Sequence, residues 1–325
     1  MWGNKLGWAI SSVIALVMLT LMVMLERSGT QPSDMTPKFA AELALNMAPL
    51  VMTPAPETIL PAMNDERDAG DLYREAIALY EKSPALYEGF DPKTVDQLEA
   101  VDKIAEATHC KRMTLFSKDP SAVINFESEK PPIEALRKIG KATVNKALVL
   151  RAGKDLDGAR HYAEAVFALG TRLFNERVVY EEYDTGLGLI GDSSELLYRL
   201  ANEAGDAARA SQIKAFTEAR IKLSDQNGRL FDLHKITKNL DGNISGARAG
   251  DLFVLAEKSQ ERMWRVAACF QLANTHHNVG EDGRAADQRY AQALLVKLAN
   301  DPDPVVKTAA IRARDMTDQE YNRQK

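Results

Sequence analysis

The longest apolar stretch of the chain runs from Leu6 to Leu25 and contains no charged residue. A helix rises about 1.5 Å per residue, so this stretch matches the roughly 30 Å hydrocarbon core of a bilayer. Trp2 and Trp8 fall where interfacial aromatic side chains are common. The pattern predicts a single transmembrane helix over residues 6–25, after a short N-terminal flank of residues 1–5, with the lipid bilayer as its partner.

The charges on either side of this stretch set the expected orientation. Lys5 and the terminal amine precede it, whereas Arg27 follows it, and positive charges favour the cytoplasmic side. We therefore expect a single-pass cytoplasmic (inner) membrane protein, with the N-terminus inside and the C-terminal domain periplasmic or extracytoplasmic. The alternative is a cleaved secretory signal, whose apolar core is shorter, about 7–15 residues.

Prolines concentrate directly after the apolar stretch. Six of the 13 prolines lie within residues 26–63, and each one lacks a backbone donor and favours an extended residue before it. This composition predicts a Pro-rich spacer. Thr36 followed by Pro37 is typical of a helix start, so we expect one short helix within the spacer.

Residues 64–325 show the three- or four-residue apolar spacing that is typical of helices. No proline occurs from Ile133 to Asp301, so helices can continue unbroken there. Three apolar stripes follow this spacing: Ala163, Phe167, Gly170 and Phe174; Leu189, Ser193, Leu196, Leu200 and Ala204; and Leu252, Ala256, Ser259, Met263, Val266, Phe270 and Ala273. Because no segment with the period of a strand competes with them, we predict an all-α domain over residues 64–325.

Small and aromatic residues recur at spacings known from helical repeats. Gly158, Ala163, Phe167 and Gly170 have the spacing of the second helix of a tetratricopeptide repeat. Near the C-terminus, apolar runs flank the turn 301–304, as in a HEAT unit, and the Asp before the last proline can cap the following helix. The chain resembles a degenerate tetratricopeptide/HEAT-like helical repeat protein. The resemblance implies an α-solenoid-like stack of antiparallel helices that binds a protein partner.

Charge and cysteine content narrow the expected ligands. The 41 basic and 46 acidic residues give a net charge of -5, and without a basic stripe this balance argues against nucleic acid as a partner. Cys110 and Cys269 are isolated from each other in sequence. Such cysteines are more typical of small buried side chains than of a disulfide, which is the alternative. We expect no metal and no cofactor.

Two short motifs deserve a structural test. Gly186, Gly188 and Gly191 match the Gly-x-Gly-x-x-Gly pattern of nucleotide-binding turns. No strand is predicted before them, so close packing between helices is the expected role. His161 and Glu164 share a helix face, but they form only a pair of potential metal ligands.

The segment from Ser224 to Gly250 contains four glycines and separates two predicted helices. It mixes apolar and basic residues, and insertions of this kind between helices are often functional. We take four of its residues as candidate partner contacts: Phe231, His234, Lys235 and Lys238. The alternative is an ordered turn whose apolar residues cover a helix end.

These patterns predict a membrane-anchored helical-repeat scaffold or adaptor that mediates protein–protein interaction and has no evident chemistry of its own. Two alternatives stay open. A helical hydrolase or lyase would assemble its site from distant helices and show converging carboxylates or histidines in a pocket. An apolar-ligand or lipid carrier would enclose a cavity lined by residues such as Phe167, Phe174, Met263 and Phe270.

Overall fold

The computed structural model describes residues 50–88, 92, 94–124, 131–228, 249–277 and 285–323. The predicted transmembrane helix, most of the spacer and the four candidate contacts (Phe231, His234, Lys235 and Lys238) lie outside these residues. Among the helices within the described ranges, none has both the length and the apolar character needed to cross a membrane.

The described residues are mostly helical, as predicted. They form ten α-helices and two short strands. The helices are α1 (Ala69–Lys82), α2 (Glu99–Glu106), α3 (Pro131–Ala152), α4 (Leu156–Glu176), α5 (Tyr180–Glu203), α6 (Ala207–Gly228), α7 (Ala249–Lys258), α8 (Arg262–His277), α9 (Ala285–Leu298) and α10 (Pro304–Arg323). The strands are β1 (Asp65–Asp68) and β2 (Cys110–Arg112).

The two strands correct the all-α prediction in one detail. β1 and β2 pair in parallel, with Asp65 opposite Cys110 and Asp68 opposite Arg112, and α1 and α2 form the connection between them. Almost every residue of the two strands is charged, so the sequence shows no alternation of apolar and polar positions. Because strand prediction from sequence depends on that alternation, the sequence did not predict these two strands.

Helices α3 to α6 pack as successive neighbours. Residues 153–155, 177–179 and 204–206 connect them, and such short connections bring consecutive helices together in antiparallel pairs. α3 also contacts α5, and α8 contacts both α7 and α10. The buried apolar side chains of all these helices belong to one hydrophobic core that also includes residues of α1 and α2.

The glycine motif lies inside α5, where it permits close packing against α4. A Cβ atom on Gly186 would lie 2.8 Å from the carbonyl oxygen of Gly170 and 2.8 Å from the backbone nitrogen of Phe174. A Cβ atom on Gly188 would have no neighbour within 4 Å. The motif therefore belongs to a helix–helix contact, as predicted, and does not form a nucleotide-binding turn.

We expect alanine to have opposite effects at these two glycines. Gly186→Ala should reduce the free energy of unfolding by about 1–3 kcal/mol, because the backbones of α4 and α5 must separate. Gly188→Ala should increase it by about 1 kcal/mol, because alanine favours a helix more than glycine does. Urea denaturation followed by circular dichroism measures both. Equal effects of the two substitutions would contradict the close contact.

The third apolar stripe is interrupted, which corrects its interpretation as a continuous pattern. α7 ends at Lys258 and α8 begins at Arg262. Between them, the side chain of Glu261 is buried and accepts hydrogen bonds from Arg177 Nε at 2.8 Å and from the backbone nitrogen of Leu50 at 2.7 Å. A buried carboxylate needs such partners, so these contacts hold Glu261 in place between α7 and α8. Apolar spacing alone does not predict this interruption between the two helices.

Residues 50–63, which the sequence analysis placed in the spacer, pack on the helical domain. Met52 and Ile59 are buried in the hydrophobic core. Arg209 Nη2 of α6 donates to the carbonyl oxygen of Ile59 at 3.0 Å, and His109 Nδ1 lies 3.0 Å from the carbonyl oxygen of Ala62. This segment brings Glu57 to the surface of α4 and β2.

The fold also bears on three smaller expectations, which concern the two cysteines, the cap of α10 and the suggested lining of a carrier cavity. Cys110 and Cys269 are buried and unbridged, and burial raises the pKa of Cys269 to about 12. Asp303 caps α10, since its Oδ1 accepts from the backbone nitrogen of Val305 at 2.9 Å. The side chains suggested as a carrier lining are buried in the core, where Phe167 packs on Phe216 with ring centroids 5.2 Å apart.

Candidate functional site

A pocket of about 350 Å³ lies between residue 57, the end of β2, the loop after β2, the last turns of α4 and the start of α8. We call it the β2–α4 pocket. Its volume falls within the range of small-molecule sites. Charged, polar and thioether side chains line it, so its chemistry depends on which of these groups already have partners.

Two of the lining cations are paired within the protein. Lys111 Nζ forms an ion pair with Glu66, and Arg262 Nε lies 2.9 Å from Asp303 Oδ2. Both pairs are at least partly exposed, so they contribute little to stability. They do neutralise two of the positive charges that surround the pocket.

Arg172 is a third lining cation, and it is buried. Its Nη1 donates to Tyr73 Oη at 2.7 Å and to the carbonyl oxygen of Ala107 at 2.9 Å, while its Nη2 donates to the carbonyl oxygens of Thr108 and Cys110 at 3.0 and 2.5 Å. Arg172 thereby fixes β2 and the turn before it against α4. Its role at the pocket is to hold the wall in place.

Arg112 and Glu57 are two exposed charged residues that also line the pocket. Neither side chain forms a hydrogen bond or an ion pair with any residue in the described ranges, although both line the same pocket. Arg112 interacts electrostatically with Asp68, but the Asp68 carboxylate already accepts hydrogen bonds from the backbone nitrogens of Gly70 and Thr114. The pocket therefore presents one cation and one anion to solvent or to a ligand.

Thr171 adds an unsatisfied hydroxyl group to the pocket wall. The residue is 1% exposed, and its Oγ1 has no hydrogen-bond partner in the described part of the chain. A buried hydroxyl without a partner is unfavourable by about 1–3 kcal/mol. The oxygen atom is itself buried, so this unsatisfied group lies within the wall and is not exposed to the pocket.

Glu176 forms the floor of the pocket and anchors the loop after β2. Its Oε1 accepts hydrogen bonds from the backbone nitrogens of Leu115 and Ser117 at 2.9 and 2.8 Å, and from the Ser117 hydroxyl. Arg172 precedes it by one helical turn on α4, but the Arg172 guanidinium group is directed to Tyr73 and to the turn before β2. The remaining oxygen, Oε2, faces a second carboxyl group.

That second group is Glu182 on α5, which is fully buried. Its Oε2 accepts from the backbone nitrogen of Val178 at 2.6 Å, while its Oε1 has no hydrogen-bond partner in the described part of the chain. Burial, together with repulsion from Glu176, raises the pKa of Glu182 well above its ordinary value. The protonated form of Glu182 is therefore favoured over the ionised form relative to an exposed glutamate.

This proton makes stability depend on pH. The folded protein holds a proton on Glu182 that the unfolded chain releases above about pH 4.5, so rising pH favours unfolding by up to about 1.4 kcal/mol per unit. Glu182→Gln should remove this slope, because its amide keeps the hydrogen bonds without a titratable proton. We expect the variant to gain stability relative to the wild type between pH 5 and pH 8 in urea denaturation. The exposed control Glu218→Gln should show a constant difference from the wild type, and an unchanged slope in Glu182→Gln would contradict the raised pKa of Glu182.

The sequence-based candidates are not among the described residues that line this pocket. Phe231, His234, Lys235 and Lys238 lie outside the described residues. Glu164, suggested as half of a pair with His161, accepts a hydrogen bond from Arg209 Nη2 at 2.7 Å. No group of three potential metal ligands occurs within the described ranges.

The pocket residues themselves were missed because they are far apart in the chain. Glu57 falls in the segment assigned to the spacer, Arg112 in a strand without a strand pattern, and Thr171 within an apolar stripe. The local sequence around each one carries no signal of a site. Only the fold of residues 50–63 against β2 and α4 brings them together.

Comparison of the chain with protein families, with curated proteins and with solved structures finds no match. The site therefore has to be interpreted from its own chemistry. It is a polar pocket lined by Arg112 and Glu57, whose side chains form no hydrogen bond or ion pair with a described residue, and it lies next to the buried carboxyl groups of Glu176 and Glu182.

Proposed function

We propose that this chain is a membrane-anchored helical binding protein that acts as a scaffold or adaptor, with the β2–α4 pocket as its recognition site. One observation supports this proposal above the others: Arg112 and Glu57 line the same pocket, and neither side chain forms a hydrogen bond or an ion pair with a described residue. A charged group whose hydrogen-bonding atoms are not used within its own chain is available to pair with a bound molecule. The surrounding groups are fixed by hydrogen bonds, so the site is organised before binding.

The adaptor role also rests on the helical architecture. Consecutive antiparallel helices, with contacts between α3 and α5 as well as between direct neighbours, are what a degenerate tetratricopeptide/HEAT-like stack requires. Stacks of this kind commonly bind protein partners through their surfaces. We include in the proposal the anchor over residues 6–25 and an extracytoplasmic position of the domain, for which the sequence pattern is the support.

Cross-linking in native membranes followed by affinity capture tests this function. The full chain should capture a protein partner that a chain ending at residue 63 does not capture. Arg112→Glu should strongly reduce capture, because it reverses the unpaired pocket charge, whereas Lys118→Glu on the nearby loop should not. Capture by the anchor alone, or equal capture by both variants, would refute recognition through the pocket.

A hydrolase or lyase is a second candidate, favoured by the carboxyl pair of Glu176 and Glu182 at the pocket floor. Pairs of carboxyl groups with separated pKa values can divide the roles of acid and base. However, Oε1 of Glu176 is occupied by three donors, and Glu182 is fully buried. These contacts favour a structural role for the pair, so we place binding before catalysis.

A further inference from the structure

We propose that residues 50–63, which we call the strap, occupy a peptide-binding groove of the helical domain, and that an extended segment of a protein partner replaces the strap in this groove. The partner segment carries two apolar side chains with a proline between them, at the spacing of Met52, Pro56 and Ile59. This inference rests on the proposed function in one respect, namely that the chain recognises a protein. It adds the kind of segment that is recognised.

The strap runs along α4, from the end of this helix toward its middle. Leu50 contacts Arg177, the residue directly after α4, and Ile59 contacts Arg209, which pairs with Glu164 of α4. The helical rise from Glu164 to Arg177 is about 20 Å, a distance that the chain between Leu50 and Ile59 can span, since its full extension is about 30 Å. The only regular element of the strap is one turn of 3₁₀ helix. The strap thus lies on the domain as an open segment.

The N-terminal end of the strap is held by its backbone. Glu261 Oε2 accepts from the backbone nitrogen of Leu50 at 2.7 Å, and Arg177 Nη2 donates to the carbonyl oxygen of Leu50 at 3.2 Å. Arg177 also donates to Glu261 Oε1 at 2.8 Å and to the carbonyl oxygen of Phe174 at 2.7 Å. The last two contacts do not involve the strap, so the domain itself positions both of the groups that hold Leu50.

The C-terminal end of the strap is held in the same way. Arg209 Nη2 donates to the carbonyl oxygen of Ile59 at 3.0 Å and to Glu164 Oε1 at 2.7 Å, while His109 Nδ1 lies 3.0 Å from the carbonyl oxygen of Ala62. Within the described part of the chain, every hydrogen bond between the strap and other segments uses a backbone atom of the strap. Such contacts do not depend on the side chains of the bound segment, so another extended segment can form them.

Three side chains of the strap are buried, and they give the groove its selectivity. Met52 and Ile59 are 3% and 1% exposed, and Pro56 is buried between them, whereas Val51 is 68% exposed. When a protein binds an extended segment, backbone hydrogen bonds supply affinity and the buried side chains supply specificity. A proline within the segment also reduces the conformational entropy that binding removes. The groove therefore fits a segment with an apolar residue, a proline four positions later and a second apolar residue three positions after that.

The strap also connects the groove to the β2–α4 pocket. Glu57 is the only charged residue of the strap, and its exposed side chain lines the pocket beside Arg112. Release of the strap removes this carboxylate from the pocket. The groove and the pocket therefore respond together when a partner segment takes the place of the strap.

Cysteine labelling tests whether the strap leaves the groove in the folded protein. The full chain with Ile59→Cys is treated in detergent with a thiol reagent, and mass spectrometry follows each cysteine separately. Cys269 is buried in the core and is labelled only when the domain unfolds. We expect position 59 to be labelled at least about tenfold faster than Cys269, because the strap opens without the helices. Ile139→Cys replaces an isoleucine of α3 that is equally buried, and its position should be labelled no faster than Cys269.

A fluorescent synthetic peptide with the sequence of residues 50–63 tests the exchange itself. The full chain with Ile59→Asp should bind this peptide at least about tenfold more tightly than the wild type does, because the intact strap competes within its own chain. A peptide with Ile59→Asp should bind at least about tenfold more weakly than the parent peptide, whereas a peptide with Val51→Ser, changed at an exposed position, should bind equally well.

Substitutions in the groove locate the bound peptide. In the chain with Ile59→Asp, Arg209→Gln should weaken peptide binding about fivefold or more, because it removes the donor to the carbonyl oxygen of position 59. Lys214→Gln removes an exposed charge farther along α6 and should leave the affinity unchanged. Circular dichroism with and without peptide reports whether each variant is folded.

The possible results separate this inference from the proposed function. Labelling of position 59 at the rate of Cys269, or a chain with Ile59→Asp that unfolds and is not restored by the peptide, would show that the strap is a fixed part of the core and would overturn the inference. Equal binding of the parent peptide and its Ile59→Asp form would overturn it as well. In each of these cases, capture of a partner that depends on Arg112 would still support the pocket as a recognition site. Selective binding of the parent peptide would support the groove even if capture did not depend on Arg112.

Discussion

Glu261→Ala is expected to destabilise the protein by about 3–5 kcal/mol, because it leaves a buried guanidinium group without its counterion. The side chains of Arg177 and Glu261 are 12% and 3% exposed, and Arg177 Nε lies 2.8 Å from Glu261 Oε1. The second carboxylate oxygen, Oε2, accepts hydrogen bonds from Arg177 Nη2 at 3.2 Å and from the backbone nitrogen of Leu50 at 2.7 Å. One side chain therefore joins the corner between α4 and α5, the corner between α7 and α8, and the segment that leads into the domain.

Urea denaturation measures this effect, and Glu257→Ala is the matched control. Glu257 forms an ion pair with the exposed Lys297, so its loss should change the free energy of unfolding by less than about 1 kcal/mol. Replacing both Arg177 and Glu261 with methionine should be milder than Glu261→Ala, because no buried charge is then left unpaired. If Glu261→Ala were as mild as Glu257→Ala, the pair would not be a structural link.

The sequence predicts the helices well because their spacing records which face is buried. The stripe from Ala163 to Phe174 lies within α4, and the stripe that begins at Leu189 lies within α5 except for its last residue, Ala204, which is the C-cap of that helix. Glycine spacing was also informative, since the only structural requirement at Gly186 is the absence of a side chain. Each of these patterns lies within one helix, so it can be recognised from the sequence of that helix alone.

Features that depend on two distant segments were not predictable in this way. The break between α7 and α8 places the Glu261 carboxylate where it accepts hydrogen bonds from Arg177 Nε and from the backbone nitrogen of Leu50. The strands β1 and β2 are held by their pairing and by contacts to α4, and their own residues show no strand pattern. The pocket follows the same rule, since Glu57 and Arg112 meet only in the folded chain.

The second large effect is expected at Arg172. Arg172→Met keeps the length and the apolar stem of the side chain, but it removes the donors that serve Tyr73 Oη and three backbone carbonyl oxygens. Each buried acceptor that loses its donor is unfavourable by about 1–3 kcal/mol, so we expect a total loss on the order of 3–5 kcal/mol. Arg172→Lys should lose less of the free energy of unfolding than Arg172→Met, but it should stay below the wild type. A single ammonium group cannot reproduce the fork of donors on the guanidinium group.

Arg160→Met provides the control on the same helix, since Arg160 forms only an exposed pair with Asp157. It should change the free energy of unfolding by no more than about 0.5 kcal/mol. The Arg172 variant should also lose partner capture at temperatures where it remains folded, because Arg172 fixes the turn that carries β2 and therefore the position of Arg112. Normal binding by folded Arg172→Met would show that the pocket wall holds its shape without this anchor. A combined loss would mean that stability and recognition depend on the same buried guanidinium group.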